Sequence, residues 1–230
     1  MTLYWPRRLL APRKVTAEPV YATASGGRSL TAVEQIVATD AGYWSIVLDE
    51  IPVAGAVRKK VWRAMSVLLE GRMNTCAVPI YDYEAPWPVG ADYGDYTGIP
   101  FSDSALFSDD GGFQQPVITA TIQSAVSLGA VTVPITVVSG AALEVPNHFS
   151  VANQLYRIKS ITSVVGTLTT VKVWPPVRVA MTAGADAEFD DPRQLCRLAT
   201  DGEMMSGADD YAGRTLARVN FVEALPDAPA

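Results

Sequence analysis

Thr132-Val133-Pro134-Ile135-Thr136-Val137-Val138 and Thr169-Thr170-Val171-Lys172-Val173-Trp174 both alternate apolar with polar residues, the period of a strand whose one face is buried. Around them the same signal is dense. Strands are expected at 117–122, 131–138, 150–161, 168–173 and 178–181, with turn residues between them about every eight to twelve positions. Short strands at that spacing make a small β-barrel or sandwich. Pro134 lacks an amide proton for a ladder, which assigns its strand to an edge.

Upstream, Gly42-Tyr43-Trp44-Ser45-Ile46-Val47-Leu48 reads as a strand closed by Pro52 and Gly55. A helix follows over 57–70: Val57, Val61, Ala64, Met65 and Leu68 recur at spacings of three and four, and Gly71 stands where a C-terminal cap belongs. Asn74 to Tyr81 is a second strand leading into a long segment, 81–116, which carries Trp87, Tyr93, Tyr96, Phe101, Phe107 and Phe113 among Gly and Asp and repeats Phe-Ser-Asp at 101–103 and 107–109. Irregular segments of that length usually carry function. Residues 1–30, broken by Pro6, Pro12, Pro19 and Ser25-Gly26-Gly27, suit an extended arm or an edge strand. The expected fold class is mainly β: a β-sandwich or split-barrel domain with one helix, plus a small β-barrel domain. Its expected parts are an N-terminal arm at 1–30 and a first domain at 31–116, then the barrel at 117–190. Closing strands at 191–230 are placed to return to the first domain.

A chain of 230 residues, 49% hydrophobic and 18% charged, has material for a true core. No apolar run nears the roughly 20 residues of a membrane span, and Met1 to Arg8 is unlike a signal peptide, so a soluble, unexported product is expected. Cys76 and Cys196 lie far apart without a CxxC motif; two free thiols are favoured over one bridge. Charge is uneven: residues 1–75 hold ten Lys+Arg against six Asp+Glu, and residues 76–230 hold eight against eighteen. Such polarity suits subunits that meet head to tail.

Catalytic parts are scarce. His148 is the only histidine, so Ser-His-Asp or Cys-His chemistry would have to use it, and it sits in a turn entering a strand. GxSxG, HExxH, GxxxxGK[ST] and a strand-following GxGxxG are missing, so no catalytic residue, metal or cofactor is assigned. Asp103, Asp109 and Asp110 beside Gly111-Gly112 have oxygen ligands for a hard cation, but Asp-Gly pairs are first of all turn formers. Asp186, Glu188, Asp190 and Asp191 supply the carboxylates a glycoside hydrolase needs, yet a charged, solvated strand edge explains them without chemistry. Trp87 and Trp174, both flanked by proline, are suited to stacking on sugar or to packing a strand end. Arg58, Lys59, Lys60 and Arg63 make the helix basic, without a nucleic-acid recognition motif.

Several stretches resemble tail proteins of long-tailed bacteriophages. They are Gly140-Ala141-Ala142-Leu143, Phe149 through Asn153-Gln154-Leu155-Tyr156-Arg157-Ile158, and Lys172-Val173-Trp174-Pro175-Pro176-Val177-Arg178. Phe189, Pro192, Arg197-Leu198-Ala199 and Phe221-Val222-Glu223-Ala224 are similar to the closing part of such proteins. The helix ending in Leu69-Glu70-Gly71-Arg72 before a strand and Pro79 resembles the first domain of the distal tail protein group. The resemblance covers most of the chain from about Trp44 onward. It implies a structural, non-enzymatic subunit, made in a host bacterial cytoplasm and resident in the virion tail. There a homo-oligomeric, hexameric ring would join the tail tube protein to hub or fibre proteins, with neither membrane nor specific nucleic acid as partner. Arg58, Lys59 and Arg63 of the helix, Tyr93, Tyr96, Phe101 and Phe107 of the long segment, and Asp209 and Asp210 of the acidic stretch 201–210 would then be subunit contacts. The alternative is a β-barrel module that binds carbohydrate or another receptor through Trp87 or Trp174; a hydrolase built on Asp186 to Asp191 ranks third.

Overall fold

A computed structural model describes residues 2–28, 34–80, 85–86, 118–205 and 214–225. In chain order the elements are β1 (Leu3–Tyr4), β2 (Lys14–Arg28), β3 (Glu34–Ala54), α1 (Gly55–Leu69), β4 (Cys76–Pro79), β5 (Thr119–Ile122), β6 (Thr132–Ser139), β7 (His148–Val151), β8 (Gln154–Val165), β9 (Leu168–Trp174), β10 (Arg193–Leu198) and β11 (Arg214–Glu223). The protein is mainly β, and it divides into two units: Met1–Ile80 with Gln194–Ala230, and Tyr81–Arg193. The second unit is thus inserted between β4 and β10 of the first.

The first unit is one mixed sheet in the order β1-β4-β10-β11-β3-β2. β1 runs parallel to β4, while β10 with β11, β11 with β3, and β3 with β2 are antiparallel. Burial along β3 follows the strand period: Trp44, Ile46 and Leu48 are buried, and then Ile51 and Val53. The phase changes across Asp49-Glu50, where Glu50 has φ 53° and the pairing with β11 slips between Ala217 and Val219; a bulge of this kind turns the next side chains back to the core. Trp5 stands edge-on to Trp62 at 6.4 Å and to Phe221 at 5.6 Å. Its indole N–H donates to Leu10 O at 3.0 Å, and that of Trp62 to Met204 O at 3.1 Å, so the buried polar handles are satisfied.

Residues 2–28 are not a free arm. Lys14–Arg28 is the edge strand β2, and the edge position is what tolerates Pro19. The helix forms, but its inward face is Trp62, Met65 and Leu69. The expected stripe is only partly inside: Met65 is buried, whereas Val57 (63% exposed) and Leu68 (49%) face solvent. The C-cap is Glu70, in the left-handed region at φ 48°. Gly71 follows at φ 64°, and a Cβ there would stand 2.8 Å from Asp201 Oδ1, the atom that accepts the Arg72 N–H at 2.9 Å. Glycine is required by this contact and by its own φ.

The second unit is a curled five-stranded antiparallel sheet in the order β5-β6-β9-β8-β7. Its core includes Ile122, Val133, Ile135, Ile158, Val171 and Val173, with Phe149 lying 5.3 Å from Phe189. Each such side chain contributes about 1.5–3 kcal/mol by leaving water. The expected strand 150–161 is two strands. Ala152 and Asn153, at φ 51° and 62°, form the two-residue turn between β7 and β8, a conformation usually marked in sequence by Asn-Gly. Residues 178–181 form no strand, only the bridge from Met181 to Val126. β6 is an interior strand despite Pro134. That residue lies just past the end of β5, where its carbonyl accepts the Gln123 N–H at 2.9 Å and no amide proton is asked of it. Of the segment expected at 81–116, Ala85 belongs to this unit's core and Pro86 O accepts the Ala141 N–H, so these two residues do not belong to the first domain.

Candidate functional site

The acidic run gains its structure from both ends of the curled sheet. Asp186 bridges to Thr121 of β5, and Glu188 bridges to Ser150 of β7, exchanging both N–H···O bonds with it at 2.9 Å. Ala187 N–H also donates to Ala120 O at 2.9 Å. Residues 186–188 therefore join the two edge strands, and the expected solvated edge is a closure instead. Asp190 is buried and accepts the Ile118 N–H at 3.2 and 3.3 Å. Glu188 Oε1 accepts the N–H groups of Asp190 at 2.8 Å and of Asp191 at 3.0 Å; burial nonetheless pushes its pKa up, with Asp190 adding to the effect. Asp191 pairs with Arg193, whose Nε lies 3.0 Å from Oδ2. The carboxylates of Glu188 and Asp190 hold backbone in place and that of Asp191 holds the Arg193 side chain, and the oxygens named are occupied by those contacts.

Other chemical candidates are similarly engaged. His148 Nε2 accepts from Arg157 Nε at 2.8 Å across the β7–β8 pair, which occupies the lone pair a general base would use. Cys76 and Cys196 are buried and form no disulfide, and burial, then Cys76, then Glu223 raise the Cys196 pKa well above the ordinary thiol value. A thiol so placed is a poor nucleophile. Trp174 is half-buried next to Pro175 and Pro176, both buried, the setting of a strand-end packing residue. Among the described residues no cluster of three or more His, Cys, Asp or Glu is placed to hold a metal ion. None of their helices is long and apolar enough to cross a membrane.

What the fold does offer is exposed apolar β-structure. β11 pairs with β3 only between Ser45 and Ala54, whereas β2 continues along β3 until Arg28 faces Glu34. Beyond Val20 and Tyr43 the hairpin is thus, among the described residues, a two-stranded ribbon. Ile36 (63% exposed) and Val37 (57%) are consecutive, so they point to opposite faces, and both faces are open. Tyr21 is also exposed. Two strands alone are marginal in water, and an exposed strand edge is in general a template for another chain. The second unit has a milder counterpart. β7 pairs with β8 only from Gln154 to Arg157, and farther out Val164 and Val165 are exposed, although β9 behind them is covered by β6.

Of the expected contact residues, Arg63 is exposed on α1 with Lys60, while Arg58 and Lys59 are half-buried. Tyr93, Tyr96, Phe101, Phe107, Asp209 and Asp210 lie outside the described residues, as do Trp87 and the Asp103, Asp109 and Asp110 cluster. Sequence reasoning missed the ribbon tips because their apolar residues do not alternate with polar ones. The available signal was Ile36-Val37, an adjacent β-branched pair; Ser25-Gly26-Gly27, which reads as a turn, lies inside β2. No protein-family model matches the chain, and no curated protein matches it in sequence.

Proposed function

We propose that this chain is a structural subunit of a bacteriophage tail tip that assembles with copies of itself into a ring joining the tail tube to the hub and fibres. The observation that carries this is the β2–β3 ribbon, which exposes apolar residues on two faces and, among the described residues, extends past the last residue that β11 covers. Strands of this kind gain stability when a neighbour covers them, and a ring of identical subunits supplies such a neighbour at each position. The phage setting rests on the resemblance of the stretches around Phe149 to Ile158, Lys172 to Arg178 and Phe221 to Ala224. These fall in β7–β8, at the end of β9 and in β11.

The function would then be mechanical: a hexameric ring that positions tube and hub proteins, without cofactor or turnover. Light scattering on the purified chain, alone and mixed with tube and hub proteins, tests it. A homo-oligomer that also binds either protein is expected. A stable monomer at high concentration with affinity for neither would overturn the proposal.

A further inference from the structure

Helix α1 is apolar on two sides. Trp62, Met65 and Leu69 face its own sheet, and Val57, Val61, Ala64 and Leu68 form a second stripe at i, i+4, i+7 and i+11. Val57, Ala64 and Leu68 are exposed and Val61 is half-buried; Val67, 73% exposed, broadens the stripe, and Lys60 and Arg63 line one margin of it. A helix that needed only its own sheet would carry polar residues there.

The same chain holds a segment of the opposite character. Residues 87–117 contain Trp87, Tyr93, Tyr96, Phe101, Phe107 and Phe113 with five aspartates, and no Lys, Arg, Glu or His. Aromatic anchors set among negative charges are the chemistry that fits an apolar stripe with a basic margin. The stripe and the segment differ in chemistry, so each copy can offer one and receive the other, the heterologous pairing that a closed ring uses. We infer that the outer stripe of α1 is a docking surface for a second copy of this chain, whose acidic, aromatic segment 87–117 occupies it. The inference rests on the assembly proposed above and assigns the partner to a particular helix face.

Full-length chains test it. Val67→Glu with Leu68→Glu places charge on exposed positions, so circular dichroism should stay that of the parent while the association constant falls about tenfold or more. Lys60→Asp with Arg63→Asp should also weaken association, and adding Asp103→Lys, Asp109→Lys and Asp110→Lys should restore it. For direct contact, a Leu68→Cys chain is mixed with a Phe101→Cys or Phe107→Cys chain under oxidation; the two native thiols are buried. A disulfide between different copies is expected. Linkage only inside a chain carrying both cysteines would mean the segment folds onto its own helix and would overturn the inference. An oligomer unaffected by Val67→Glu/Leu68→Glu overturns it too, pointing to another occupant or none, while leaving the assembly proposal standing. A parent chain that never associates defeats the assembly proposal first.

Discussion

The β2–β3 hairpin and the β8–β9 hairpin both begin in a packed sheet and end in exposed β-structure, but they are supported differently on the way out. At the first root Trp44, Ile46 and Leu48 are fully buried and β11 covers β3; past Tyr43 only two strands remain among the described residues. In the second, β9 keeps β6 beside it as far as Leu168, opposite Thr136, so only β8 is left with an open edge. Local sequence does not distinguish them, since both tips carry β-branched residues. What differs is the number of neighbouring strands among the described residues, and that decides which tip is less supported by its own sheet.

The contrast between root and tip can be broken most forcefully at Trp44. Trp44→Ala removes a fully buried side chain and should cost about 3–5 kcal/mol in denaturant unfolding; a loss below 1 kcal/mol would mean the root is not packed as described. At the closure of the second unit, Asp190→Ala strips the Ile118 N–H of its acceptor and should cost about 1–3 kcal/mol.

Glu188 gives a smaller, pH-dependent effect. Burial raises its pKa above the ordinary 4.5, so the folded state holds the proton more tightly than the unfolded one. Its contribution is fully present below about pH 4.5 and is lost as pH rises through the raised value. Glu188→Gln keeps an oxygen for the Asp190 and Asp191 amides; stability measured across that window should therefore depend less on pH than in the parent. The least effect on unfolding belongs to the tips: Ile36→Ser with Val37→Ser, and Val164→Ser with Val165→Ser, should each stay within about 0.5 kcal/mol per site. The first pair should nevertheless reduce association more than the second, because among the described residues its ribbon has no third strand.

The mainly β class was legible because strand periodicity survives in β6 and β9, and the helix because its spacing is regular. The helix's orientation was not. Val57, Val61, Ala64 and Leu68 make as good a stripe as Trp62, Met65 and Leu69, and only the position of the sheet chooses between them. Pro134 misled because a proline's cost depends on which strand lies opposite its nitrogen, a tertiary fact. The acidic run was misread for a related reason: carboxylates that accept buried backbone N–H groups have the same composition as a solvated edge. As for the candidate site, Lys60 and Arg63 were visible as a basic group, whereas the open edges of the ribbon depend on where β11 stops pairing.

The most direct test of the assembly account is electron microscopy of the purified chain beside a variant with the ribbon shortened by removal of residues 23–38. The account predicts closed rings of uniform size for the parent and folded single subunits for the variant. Dispersed single subunits for the parent, or rings that persist unchanged in the variant, would contradict it.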